Sequence, residues 1–571
     1  MIEKKLTRWY FKILDKKFWI ISAVILFCIY FANTLHTNFS DEFDNIVGGY
    51  YITRGILPYI GFFSHHNPGA YFIASIITIF TKQSFVAFRI VWGIVLYISA
   101  IGFYGLLGIK IGFKRIRFYV FYLFLLGISA TYYWGQMLLS ETIVGYLLIP
   151  AYALVLLKNI YGIRYSYTDI IFLSITTFIS LLTSLTFVFA IIILIAMFLY
   201  GYQRQSKFLS KNMFHAVIIF LIPYLLFAIY LIITQSIKEF YFQSILYNRN
   251  YYIYNFPVVS GQVSKHPLRY ALSILFNTSL QFQVLSLQIK NLNFDFPVNV
   301  TLLVGNISLL GYLICKKKYS LAILIYLFMV YLNSRGEPLA SKETDFHSTV
   351  YIMFSLFNIC FVLFHLYKNI REETNKALSF IYKGLLVLTA IYSFYSIGIL
   401  LRLFADKTYT KIMGQAPLIY DRPVAAPIIN RIVKTDEYYW IGPFEFEELL
   451  YINAKLPSKY HWFLPAHERS DKIKEEFLAD LHRNRPKLIV FKEDLGYFGT
   501  DPKDFNYPIV NLLRKEYFRL EDLEKEGKKY RPTLTNLHNF DMAVNFYYDK
   551  NRKEEIISLL INEGLIKIVT P

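Results

Sequence analysis

Charge is what this 571-residue chain has least of. Asp, Glu, Lys and Arg together make up 17%, less than a water-soluble chain of this length carries. Cysteine is scarce as well. Cys28, Cys315 and Cys360 lie in or at the end of apolar runs, with neither metal-ligand spacing nor a disulfide framework. No internal repeat or low-complexity tract stands out. The N-terminus, "KKLTRWYFKILDKKFWIISAVILFCIYFAN", has a basic flank but no small-x-small cleavage site, so it reads as an uncleaved signal anchor.

What fills the chain is apolar surface: 55% of residues are hydrophobic and 19% aromatic. They fall in long runs near 18–33, 84–109, 117–134, 139–157, 168–201, 214–234, 299–315, 319–333, 349–367 and 380–404. The 168–201 run exceeds one span of roughly 20 residues and reads as two helices broken at "TSLT" (183–186). The aromatic excess suits interfacial belts. The expected fold class is therefore an α-helical polytopic membrane protein.

The net charge is +19, from 59 basic and 40 acidic residues, which raises nucleic acid as a partner. The basic residues form no stripe with recognition motifs. They cluster in "KIGFKRIR" (110–117), "KNIYGIRY" (158–165), "YQRQSKFLSK" (202–211), "CKKKY" (315–319) and "YKNIREETNK" (367–376). This is the positive-inside pattern, so the partner is a bilayer and no nucleic acid is expected. With a cytoplasmic N-terminus, loops 34–83, 135–138, 235–298 and 334–348 face outside together with the C-terminal region. The register closes if "PGAYFIASIITIF" (68–80), about 13 residues long, is interfacial rather than spanning, with Asn67 its N-cap and Pro68 its first helical residue.

From 405 onward no membrane run appears. "YYWIG" (438–442), "YHWFL" (460–464) and "KLIVFK" (487–492) are strand candidates, alternating with helical "FEFEELLYINAK" and "DKIKEEFLADLHRN". The expected organisation is a transmembrane domain over 1–404 and an extracytoplasmic α/β domain over 405–571. The tail holds no Ser/His/Asp order, Walker loop or Gly-rich nucleotide fingerprint, so His461 and His467 there read as acceptor binding or packing.

The unusual feature is "SDEFDNIVGGYYITRG" (40–55), which sets three carboxylates beside a bilayer. On a helical wheel at ~100° per residue, Phe43, Ile46, Val47 and Tyr50 fall roughly opposite Asp41. That predicts an interfacial helix with its apolar side on lipid, Asp41 turned toward protein or water, and Asp44 in solvent. Gly55 and Pro58 end it. The same loop carries Arg54 and "SHHNP" (64–68), and Glu141 follows the next outer turn.

Asp41-Glu42, then Gly55 with Pro58-Tyr59, Pro68 opening an apolar helix, and Arg89 opening the next span, occur in an order that resembles the GT-C superfamily of membrane glycosyltransferases. That group includes the protein O-mannosyltransferases and the lipid A aminoarabinose transferases. The likeness is strongest over 34–110. "RPKLIVF" (485–491) resembles the external domains of bacterial members, whereas "HHNPG" departs from the two prolines of many relatives.

The resemblance implies about 11–13 transmembrane helices in a bacterial plasma membrane. It also implies transfer of a sugar from a polyprenyl-phosphate donor to a lipid, glycan or protein acceptor, outside the membrane and with inversion. Asp41 matches the leading acid and is the expected general base, with Glu42 in reserve and Glu141 at the second acidic position.

Cations for the leaving phosphate are sought in "NSRGEPLASKETDFHSTVY" (333–351), with Arg335 and His347 ahead of Lys342, and in Arg54, Arg249 and Arg269. His65, His66 and Tyr59 are candidate substrate contacts. Some members use a divalent cation, Mg or Mn, for which Asp41 and Glu141 are the available ligands. His65 and His66 lack a third ligand at suitable spacing. The competing readings are a transporter or flippase of lipid-linked sugars, a polysaccharide polymerase, and a non-catalytic assembly protein.

Overall fold

The computed structural model describes residues 2–36, 39–111, 116–203, 211–252, 266–290, 296–336, 338–339, 346–415, 421, 423–493, 504, 507–525, 530–534 and 540–568. The helices run in chain order as α1 (Ile2–Thr34), α2 (Ser40–Thr53), α3 (Gly69–Thr81), α4 (Phe85–Ile111), α5 (Ile116–Ser129), α6 (Ser140–Tyr161), α7 (Tyr167–Thr183), α8 (Val188–Gln203) and α9 (Lys211–Ile233). After a segment containing a π-helical turn, Tyr241–Tyr247, come α10 (Pro267–Lys290), α11 (Pro297–Cys315), α12 (Tyr319–Leu332), α13 (Thr349–Glu372) and α14 (Lys376–Ile412).

Among the described residues, seven helices are long and apolar enough to cross a membrane: Lys17–Thr34, Phe85–Gly108, Ser140–Tyr161, Leu185–Gln203, Pro297–Cys315, Phe346–Tyr367 and Lys376–Ile412. The remaining apolar runs form shorter helices over Arg117–Tyr132, Tyr167–Thr183 and Tyr319–Leu332, together with α9. The long 168–201 run is broken where the sequence suggested, with Leu185–Phe187 a 3₁₀ turn between α7 and α8.

The chain divides into two compact units. The first holds 1–38, 86–230 and 258–419; the second holds 39–85, 231–257 and 420–571. This division differs from a single boundary at 404/405, because two segments between the apolar runs pack with the tail.

In the first unit the ends of the helices and the residues beside them pair in two groups. Lys318 Nζ donates to the carbonyls of Asn159 and Ile160 at 3.0 Å, His365 bridges the hydroxyls of Tyr161 and Tyr312, and Lys316 pairs with Glu373. A second group joins Tyr132 to Asn299, Asn299 to the Leu339 carbonyl, Lys407 to the Thr131 carbonyl, and Thr349 to the Tyr133 carbonyl. Asp169, paired in the interior with Lys158 at 2.6 Å, closes with Ser166 the capping box that starts α7.

Two expectations fail in this unit and the next. Residues 235–298 are not simply a loop, since α10 lies within them. In the second unit α3 begins at Gly69, with Pro68 rather than Asn67 at the cap position and no side-chain cap.

The second unit contains a four-stranded sheet, β1 (Tyr439–Gly442), β2 (Leu488–Phe491), β3 (Tyr517–Phe518) and β5 (Phe546–Asp549), in the order β1-β2-β5-β3. β1 and β2 are parallel; β5 runs antiparallel to β2 and β3. A two-stranded pair, β4 (Tyr530–Pro532) and β6 (Ile566–Ile568), completes it. The helix α15 (Asp471–Arg483), capped by Ser470, lies over "DKIKEEFLADLHRN" as expected.

"YHWFL" is not a strand. The Phe463 N–H bonds the Pro443 carbonyl, and Trp462 and Phe463 are both buried, so successive side chains enter aromatic surroundings instead of alternating. "FEFEELLYINAK" yields only a short helix, Phe446–Leu449, and the buried Glu448 carboxylate serves instead to accept the N–H groups of Val424, Ala425 and Ala426.

Candidate functional site

Helix α2 owes its placement to Gly48 and Gly49. A Cβ on Gly48 would sit 2.4 Å from the Tyr71 ring, and one on Gly49 would sit 2.5 Å from the Ala74 Cβ and 2.7 Å from its backbone. Two adjacent glycines thus let α3 lie directly on α2. Phe43, Ile46 and Val47 are buried by protein, which corrects the expectation that this face rests on lipid.

The close approach brings Tyr71 to Asp44. The Tyr71 hydroxyl donates to Asp44 Oδ2 at 3.0 Å and lies 2.7 Å from Ser64 Oγ. Burial, reinforced by the Asp44 charge, pushes the Tyr71 hydroxyl pKa well up, so it keeps its proton and donates. His461 Nε2, from the tail, is 3.8 Å from Asp44 Oδ1. Asp44 is only 6% exposed, so the prediction that it faces solvent is wrong. The wheel placed it by angle from lipid, whereas both sides of α2 are covered by protein.

Glu42 is fully buried at 0% exposure, and Asp41, one residue earlier, is partly exposed. Asp41 is the most accessible of the three acids. The helix stops where glycine permits it: Arg54 is the C-cap and Gly55 takes φ +79°.

The "SHHNP" loop is held by the π-helical turn. Gln243 accepts the Ser64 N–H at 2.9 Å and donates to the Tyr59 carbonyl at 2.7 Å. Asn248 donates to the His65 carbonyl at 2.6 Å, and the Tyr59 hydroxyl and Ser64 Oγ donate to that of His66. Such turns often mark functional segments. Burial alone would raise the Glu239 carboxyl pKa, but Lys459, Gln243 and Lys472 hold it below the usual carboxylate range, and this ties the turn to the tail.

Tyr59 itself is completely buried, whereas His66 is half-buried. The His65 ring meets those of His66 and Tyr252 at tilted angles, with centroid separations of 3.8 and 4.2 Å, and Trp462 stands 5.5 Å away. His467 is a packing residue. Its Nδ1 accepts from the Leu464 N–H and contacts the Tyr247 hydroxyl, and burial together with His461 pushes its pKa far down, keeping it neutral.

Of the candidate cations, Arg54 is exposed, lies over the Tyr50 ring and donates to the Asn453 carbonyl; Arg249 is also exposed. In the first unit, Arg269 is exposed, Arg335 is half-buried after α12, and His347 is buried in the Phe346–Ser348 turn. Phe346 stacks on Trp134, and the start of α6 touches this turn, so His347 and the Glu141 segment are neighbours. Glu141 is 4% exposed. Lys342 lies outside the described residues.

Among the described residues no three His, Cys, Asp or Glu side chains gather as a metal site. The donor set for a divalent cation is therefore not assembled by them.

Sequence reasoning missed Asp44, Tyr71, Ser64, Gln243 and His461 as one network. The adjacent glycines in "VGGYY" were the available signal for a close helix contact. No protein-family model matches the chain, and no curated protein matches it in sequence.

Proposed function

We propose that the chain is a membrane glycosyltransferase of the GT-C kind, with about 11–13 crossings of a bacterial plasma membrane. Its donor is a polyprenyl-phosphate sugar and its acceptor a hydroxyl on the extracytoplasmic side. The observation that carries this reading is the state of the three acids: on a helix fixed by close packing, Glu42 and Asp44 are enclosed and Asp41 alone remains accessible.

Sidedness has independent support. Most of loop 34–83, the first part of loop 235–298 and the tail, all of which loop charge assigns outside, belong to one compact unit over 39–85, 231–257 and 420–571. In the first unit, two segments assigned inside, 158–165 and 315–319, touch through Asn159 and Lys318, and helix ends bordering segments assigned outside touch through Tyr132 with Asn299 and Tyr133 with Thr349.

In this reading Asp41 takes the proton of the acceptor hydroxyl as its oxygen attacks C1 of the sugar. The C1–O bond to phosphate breaks on the opposite face, and its electron pair leaves with the polyprenyl phosphate. Cations then meet the developing charge, and Arg54 and Arg249 are the candidates that belong to the same unit as Asp41. No step is assigned to a metal.

The test is transfer by purified protein in nanodiscs across a panel of polyprenyl-phosphate sugars. Asp41→Asn should lose roughly 10²–10⁴ in turnover while its melting temperature is retained. Full turnover in that variant removes Asp41 as the base. Absence of transfer from every donor by the folded wild type removes the enzyme reading.

A further inference from the structure

A small crevice in the first unit lies where the end of α1 meets α4, the 130–139 connector and α6. Tyr30, Asn33, Gln136 and Tyr146 line it, with Gly93 and Gly135 in its walls. Asn33 and Gln136 are 3% and 5% exposed.

Asn33 Nδ2 donates to the Gly127 carbonyl at 2.8 Å, which fixes the sense of the amide and leaves Oδ1 as an acceptor. That Oδ1 and the Gln136 Oε1 are both buried without a hydrogen-bond partner among the described residues. A buried carbonyl oxygen left without a donor is costly, so two of them in one place call for a partner. The Tyr146 hydroxyl donates to that of Tyr30 at 3.4 Å, so the Tyr30 proton is still to be given. Two acceptors and one donor thus belong to residues that line the crevice, and no charged side chain is among them. Its free volume of about 10 Å³ matches one water or one hydroxyl group.

We propose that this crevice is a binding site for a single neutral hydroxyl group, which donates to Asn33 Oδ1 and Gln136 Oε1 and accepts from Tyr30. Water and a carbohydrate hydroxyl supply the same chemistry. Neither depends on the transferase reading, so the site is tested without an activity assay.

The experiment is hydroxyl-radical footprinting of the full chain in nanodiscs, with rapid mixing into ¹⁸O water and mass spectrometry of the tyrosines. A bound hydroxyl makes Tyr30 and Tyr146 labelled despite their burial, with oxygen that exchanges more slowly than bulk water. Gln136→Leu should lose this label. Tyr146→Phe, which keeps both amides, should retain it at Tyr30 and gives an answer if Gln136→Leu fails to fold. Unlabelled tyrosines, or label exchanging at the bulk rate, overturn the site. Loss of the label on adding a free disaccharide identifies a sugar hydroxyl as an occupant, and an unchanged label identifies water.

Discussion

Tyr71→Phe removes one oxygen from the α2–α3 contact and leaves the ring in place. That oxygen donates to the buried Asp44 and lies against Ser64. A hydrogen bond to a charged group contributes about 1.5–3 kcal/mol. Ser64 loses less, because its Oγ still reaches the His66 carbonyl and accepts the His66 N–H at 3.0 Å. Asp44 Oδ2 loses its donor, and Oδ1 still faces His461 at 3.8 Å, beyond hydrogen-bond reach. The expected cost is about 2–3 kcal/mol, dominated by the stranded carboxylate. At ~2–4 °C per kcal/mol, melting of this unit should fall by roughly 4–12 °C.

Trp440 and Trp462 are both buried in the second unit, so in a chain with Trp9, Trp19, Trp92 and Trp134 replaced by Phe, tryptophan fluorescence on heating in detergent reports its melting. Hydrogen exchange over 64–72 should quicken in step. A shift below about 1 °C with unchanged exchange would refute the idea that Tyr71 is the link holding α2 to the "SHHNP" loop.

Gly49→Ala should destabilise the second unit by about 1–3 kcal/mol, because its Cβ meets the Ala74 backbone, which cannot swing aside. Gly102→Ala, with open space at its Cβ, is the control and should leave the melting temperature unchanged or slightly higher. For His36, burial first, then Lys407, Lys411 and Arg89, depress the pKa from 6.5 to about 4. The folded state therefore binds fewer protons than the unfolded one between those values, so stability is complete above pH 6.5 and declines as pH falls toward 4. The full effect is about 3 kcal/mol; an NMR titration of His36 with a midpoint near 6.5, or a pH-dependence of melting unchanged by His36→Gln, contradicts it.

Apolar length and loop charge are properties of single segments, and they were legible in the sequence. The break in the 168–201 run and the helix over 471–483 follow from such local signals. What was not legible depends on partners distant in the chain. "YHWFL" has the residue types of a strand, yet its backbone finds Pro443 and Lys459 instead of a ladder. β3, β4, β5 and β6 went unnoticed because short strands become strands through pairing; Phe518 meets Tyr548 and Ile566 meets Pro532 across long stretches of chain.

The acids of α2 show what a helical wheel leaves out. A wheel assumes one apolar medium and one polar medium, and with lipid on one side it sent Asp41 inward and Asp44 to water. Once α3 covers α2 at Gly48 and Gly49, and the tail brings His461 to Asp44, protein lies on more than one face. Burial then sorts the carboxylates by what encloses them. Asp44 is held by the Tyr71 proton and Glu42 has no exposed surface, so neither can receive an external hydroxyl without rearranging the packing. Asp41 keeps its place as the proposed base, on accessibility rather than on angle.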